Sequence, residues 1–104
     1  MFAQVRIYTI NKGMMDDWIK LFNEQMAPLH EKHGIKIIGA WANRPQNEFV
    51  WIRAAESEED LKEKMKAFME SPERKALGTF PGTHHAKTEV RDTESVYEPV
   101  GARV

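Results

Sequence analysis

The chain predicts an α+β fold, with the elements in the order strand, helix, strand, strand, helix, strand, and a four-stranded antiparallel sheet carrying both helices on one face. Two observations carry this expectation. Gln4-Val5-Arg6-Ile7-Tyr8-Thr9-Ile10 and the stretch from Phe49 to Ala55 alternate with period two, and each precedes an apolar stripe of helical period. Between these units, Pro45-Gln46-Asn47 is short enough to join the second and third strands as a hairpin. At 104 residues this is one domain, placed at residues 1–98 with a tail at 99–104.

Each element has a local reason. Asn11-Lys12-Gly13 is a turn after the first strand, and a helix begins near Met14, with Asp16 and Asp17 complementing its dipole. Met15, Trp18, Ile19, Phe22, Met26, Leu29 and His33 form its buried stripe. Pro28 removes a backbone donor, so a bend is expected near Glu24 to Pro28, and His33-Gly34 ends the helix. Ile35 to Arg44 reads as the second strand. After the third, Ser57 caps a helix with Glu58, Glu59 and Asp60 in its first turn and Leu61, Met65, Phe68 and Met69 on its buried stripe. Ser71-Pro72 restarts a short helix that Gly78 ends, Phe80 to Thr83 turn, and His84 to Tyr97 are extended.

In this ferredoxin-like arrangement, βαββαβ, the first and third strands are expected at the centre of the sheet and parallel, with the second and fourth at the edges. Phe2, Tyr8, Phe49 and Trp51, joined by Trp41, are expected on the sheet face that the helices leave uncovered. Large side chains left in water would forfeit roughly 1.5–3 kcal/mol each. A second copy related by a two-fold axis covers such a face, giving a homodimer in which two sheets close into an α+β barrel.

Composition excludes several functions. The formal net charge of −1 gives no electrostatic case for nucleic acid or an acidic membrane surface, and no apolar run approaches the roughly 20 residues of a membrane span. The chain has no cysteine, which removes disulfides, thiolate nucleophiles and zinc ribbons. Met1 to Val5 lack the features of a secretory signal, so a cytoplasmic location is expected.

The ordered set Gln4-Val5-Arg6-Ile7-Tyr8-Thr9-Ile10, Gly13, Pro28-Leu29, His33-Gly34-Ile35-Lys36, Gly39-Ala40-Trp41, Glu56-Ser57 and Ser71-Pro72-Glu73 resembles the NIPSNAP family over most of residues 2–77. The resemblance implies a dimeric α+β barrel and no settled reaction. Barrels of similar build include cofactor-free monooxygenases, haem-degrading and chlorite-decomposing enzymes, and proteins without known catalysis.

The candidate site is drawn from the strands. Arg6 and Tyr8, Trp51 and Arg53, and His85 and Glu89 are expected on the barrel face of three neighbouring strands, with Trp41 as a further wall. Arg6, Arg53 and Glu89 would bind substrate, with the two arginines orienting an anion; Tyr8 would donate a hydrogen bond, Trp51 would pack a ring, and His85 would be the base. Alternatively, Arg6, Arg53 and Glu89 satisfy one another as an interior ion-pair network. Adjacent His84 and His85 point to opposite faces, and His30 and His33 lack a convincing third ligand, so no metal site is expected. No phosphate loop, nucleophile elbow or nucleotide fingerprint is present, so no cofactor is expected. The leading expectation is a homodimer that binds or transforms a small aromatic, carbonyl or acidic compound. The alternative is a non-catalytic, dimeric protein-interaction module, for which a filled interior would speak.

Overall fold

The computed structural model describes residues 1–79 and 81–98. The expected tail at 99–104 lies outside the described residues, as does Phe80 of the expected turn. Strand β1 (Phe2–Ile10) leads into α1 (Met15–Leu21), a π-helical turn (Phe22–Met26) and α2 (Ala27–Lys32). Strand β2 (Lys36–Asn43), a 3-10 turn (Arg44–Gln46) and β3 (Glu48–Ala55) form the hairpin. Helices α3 (Glu58–Glu70) and α4 (Pro72–Leu77) follow, then a second 3-10 turn (Pro81–His84) and β4 (His85–Glu94).

The bend expected before Pro28 is a widened turn. The Ala27 N–H reaches back five residues to the Phe22 carbonyl, so the helix absorbs one extra residue ahead of the proline that cannot donate. Helix starts follow the expected chemistry: Ser57 Oγ accepts from Asp60 N–H at 3.1 Å, and Ser71 Oγ accepts from Arg74 N–H at 3.2 Å, with Pro72 at the first helical position. Asn47, in the left-handed region at φ 56°, closes the hairpin turn.

The sheet order is β2-β3-β1-β4. The first and third strands are central, as expected, but they are antiparallel: Phe2 lies opposite Ala55 and Tyr8 opposite Phe49. The hairpin reverses the chain between β2 and β3. It is β2, reached from β1 by a helical crossover, that shares the direction of β1.

The assignment of the two sheet faces is also corrected. Tyr8, Ile10, Phe49, Trp51 and Ala55 pack under the helices, in one cluster with Trp18, Phe22, Met26, Leu61 and Phe68. Tyr8 meets Trp18 edge-on with ring centroids 5.5 Å apart, and Phe22 meets Phe49 at 5.0 Å and Trp51 at 5.2 Å. The bulky aromatic face is therefore the core of the single chain. The helix-free face carries the smaller Val5, Ile7, Val50 and Ile52, all half-buried. Alternation groups residues by face, but does not say on which side the crossover lays its helices.

Candidate functional site

Between the helices and the sheet lies a cavity of about 210 Å³. The sheet contributes Arg6, Tyr8, Trp51, Arg53 and His85 to its wall, and the first helical segment contributes Trp18, Met26 and His30. Met65, Phe68 and Met69 of α3, Arg74 of α4, and Pro81 with Gly82 complete it. Met69 and Gly82 are the exposed members of this lining, so the cavity is taken to open on their side.

Register explains why these strand residues meet. Arg6 is opposite Trp51, and Gln4 is opposite Arg53, so the two arginines sit on adjacent strands with the indole beside both. The Arg6 and Arg53 guanidinium carbons are 5.9 and 5.5 Å from the Trp51 ring centre. Arg6 Nε donates to Tyr8 Oη at 2.9 Å and its Nη1 donates to Gln4 Oε1 at 3.1 Å. Arg53 Nε donates to the same Gln4 oxygen at 2.8 Å. One side-chain amide thus holds both guanidiniums in place.

Arg53 is only 8% exposed. Burial, with Arg6 nearby, pushes its pKa down to about 10, still charged at neutral pH. Among the described residues neither Arg6 nor Arg53 is in an ion pair, and no lining residue is a carboxylate. Asp92 acts on Arg53 only through space, its Oδ1 taken by the Gln4 amide N–H at 3.0 Å. The cavity wall formed by the described residues is therefore cationic and without an internal counter-ion.

Two neutral imidazoles adjoin it. His30, 1% exposed, donates from Nδ1 to the Met26 carbonyl at 2.7 Å, which leaves Nε2 to accept from Arg53 Nη1 at 3.2 Å. Burial, above all, and the charge of Arg53 lower its pKa to about 4, against a raising contribution from the Met26 bond. His85 stacks on Tyr8 with ring centres 3.9 Å apart and meets the edge of Trp18 at 4.3 Å. Burial, followed by His84 and Arg6, lowers it to about 4 as well. His85 Nε2 is buried and makes no hydrogen bond among the described residues, as do Trp18 Nε1 and Trp51 Nε1.

Of the candidates named from sequence, the structure brings Arg6, Tyr8, Trp51, Arg53 and His85 together, but under the helices and not on the face expected to line a barrel. Trp41 and Glu89 are elsewhere. In β2 the register slips at Ile38, so that Ile37 faces Arg53 but Gly39 faces Ile52. That one-residue bulge turns Trp41 to the helix-free side, opposite Val50 and 54% exposed. In β4 a slip at Ala86 does the same to Glu89, which lies opposite Ile7. Glu89 pairs there with Lys87 at 2.8 Å and Arg91 at 3.7 Å, so the expected ion-pair network with Arg6 and Arg53 does not form.

From sequence, His30 is only a histidine without a convincing metal partner, and Trp18 only a member of the buried stripe. Their signal was present: His30 lies four residues after Met26 and eight after Phe22, on the same helix face. Gln4 and Arg74 were also missed. His33 is occupied by the Leu29 carbonyl at 3.0 Å, and no group of three potential metal-binding side chains occurs among the described residues.

Fold and cavity together define a class: a small ferredoxin-like α+β domain with a cationic, aromatic-walled space between sheet and helices. The chain belongs to the NIPSNAP family, whose model matches residues 3–95. It is similar to a NIPSNAP family protein from Agrobacterium tumefaciens at 20% identity and TM-score 0.85, over 95% of this chain and 97% of that one. A NIPSNAP domain protein from Burkholderia xenovorans is 15% identical with TM-score 0.84, over 95% and 99% of the two chains. An antibiotic biosynthesis monooxygenase is 12% identical with TM-score 0.67, over 93% and 100%. At these identities the likeness is one of fold. A second Agrobacterium family structure is described as of unknown function. No curated protein matches the chain. Among the described residues no helix is long and apolar enough to cross a membrane.

Proposed function

We propose that the chain is a cytoplasmic homodimer that binds a small, partly aromatic acid or carbonyl compound in the cavity between its sheet and helices. The observation that carries this is the pair Arg6 and Arg53: two guanidiniums on one aromatic wall, one of them buried, with no carboxylate among the described residues that line the space. A buried charge without a partner costs several kcal/mol, and a bound carboxylate, enolate or phenolate would offset that cost. The volume lies below the roughly 300–1,000 Å³ of drug-sized sites, which suits a single ring or short chain.

Roles follow from the hydrogen bonds. Tyr8 Oη accepts from Arg6, so its own O–H is free to donate to a ligand oxygen. Trp51 is the ring wall. His85 is neutral at pH 7 with Nε2 uncommitted, and in the tautomer with its hydrogen on Nδ1 it accepts a proton at Nε2. Its low pKa makes it a weak base, suited to an acidic O–H or C–H whose anion the arginines stabilise. An antibiotic biosynthesis monooxygenase shares the fold, and oxygenation is one form that such a reaction would take. A filled interior would favour a non-catalytic interaction module; the open cavity supports the ligand-binding reading instead.

The dimer would use the helix-free face. Val5, Ile7, Val50 and Ile52 form an apolar strip beside the exposed Trp41, and Lys87, Glu89 and Arg91 flank it with charges of both signs. A strip of this kind with mixed charge at its edge is self-complementary about a two-fold axis.

A thermal-shift screen with hydroxy-aromatic acids and quinones tests the ligand reading. A ligand at 100 times its dissociation constant stabilises by roughly 2.7 kcal/mol. A shift that Arg6→Leu abolishes is the expected result. A silent panel, or a shift that Arg6→Leu leaves intact, would count against the site.

A further inference from the structure

In the proposed function one acid group of a ligand would engage Arg6 and Arg53, yet a third guanidinium lines the same cavity. Arg74 of α4, half-exposed, lines it together with the exposed Met69 and Gly82. Its Nη1 donates to the Gly78 carbonyl at 2.8 Å, which anchors one edge of the group to the end of its helix. Its Nε is buried without a partner among the described residues, and Arg74 takes part in no ion pair there. With His30 and His85 neutral at pH 7, three positive charges border a space of about 210 Å³ that no carboxylate of the described residues lines. A monoanion leaves two of those charges uncompensated. A dianion leaves one.

We propose that the ligand of this cavity is a small dianion, a single ring or short chain bearing two acid groups, with one group between Arg6 and Arg53 and the other held by Arg74 at the mouth. This rests on the ligand-binding reading of the same cavity and adds to it both the second acid group and the residue that selects for it. A planar guanidinium anchored through one edge presents its remaining donors in a fixed direction, so the separation of the two acid groups on the ligand should matter.

Titration calorimetry of the full chain at pH 7 with benzoate and the three benzenedicarboxylates tests this. One dicarboxylate isomer should bind roughly tenfold more tightly than benzoate, with the isomers distinguished from one another. Arg74→Leu should bring that isomer to within about twofold of benzoate, and Arg74→Lys, which keeps the charge and loses the fork, should fall between. Arg74 is half-exposed on a short helix, and the unliganded melting temperature of each variant confirms its fold. The proposal is overturned if benzoate and the dicarboxylates bind alike. It is equally overturned if the preference survives Arg74→Leu, or is the same for all three isomers, since either result reads net charge alone. Failure of every acid to bind would overturn the underlying ligand-binding function, a different outcome from binding without preference.

Discussion

Arg53 Nη1 donates to His30 Nε2 across 3.2 Å, and this contact joins the sheet to the first helical segment inside the cavity. It requires a neutral imidazole with its proton on Nδ1, the tautomer that the Met26 carbonyl selects at 2.7 Å. A protonated His30 would set two cations against each other in a buried site.

Stability should therefore fall in mild acid. His30 titrates near 4 in the folded chain, against 6.5 for an ordinary imidazole. The unfolded chain takes up the proton first, so the stabilisation is complete above pH 6.5 and is lost as pH falls towards 4. For a group this buried the loss is on the order of 3 kcal/mol over that window. His85 shifts in the same direction and adds to it, less strongly because it is more exposed. Urea unfolding at pH 7, 6, 5 and 4.5 measures the slope, and His30→Gln should flatten it.

Replacing Arg53 separates a binding role from a structural one. Arg53→Leu removes a buried charge but leaves His30 Nε2 without its donor, so the two effects oppose. Unfolding free energy should stay within about 2 kcal/mol of the parent chain, while stabilisation by a hydroxy-aromatic acid disappears. Loss of the fold at neutral pH would instead make Arg53 a structural residue.

Much of the fold was legible, because strand alternation, the Ser57 and Ser71 caps and the hairpin are all short-range features. Which face the helices cover was not, since Tyr8 and Trp51 alternate identically whichever side the crossover takes. Two of the expected site residues were lost at single positions. Ile38 and Ala86 each add one residue to a strand, and everything after them changes face: Trp41 in one case, Glu89 in the other. Ala86 has no glycine or proline beside it to mark a bulge, whereas Gly39, next to Ile38, is such a mark and was not used. His30 was legible as buried, but its partner Arg53 is 23 residues away, and only the folded helix and sheet bring them together.

Gly39 and Trp41 report on the helix-free face. A Cβ built at Gly39 would come within 2.7 Å of the Trp41 ring, so the six-membered ring of the indole sits against the glycine. Val50→Asp, placed opposite Trp41, should convert a sedimenting dimer to a monomer, raising the dimer dissociation constant by at least about 100-fold. The helical circular dichroism should be retained, because Val50 is on the side of the sheet away from the helices. A parent chain that sediments as a monomer at tens of micromolar would contradict the dimer.

The three tryptophans offer the most direct test of the cavity. Trp18 and Trp51 line it, and Trp41 stands on the opposite face of the sheet as an internal control. An NMR titration of the 15N-labelled chain with a hydroxybenzoate would follow the three indole N–H signals and the Arg6 and Arg53 Nε–H signals together. The expected result is one saturable binding curve shared by Trp18, Trp51 and both arginines, with Trp41 unmoved. Shifts confined to Trp41, or none up to millimolar acid, would contradict a ligand site between the sheet and the helices.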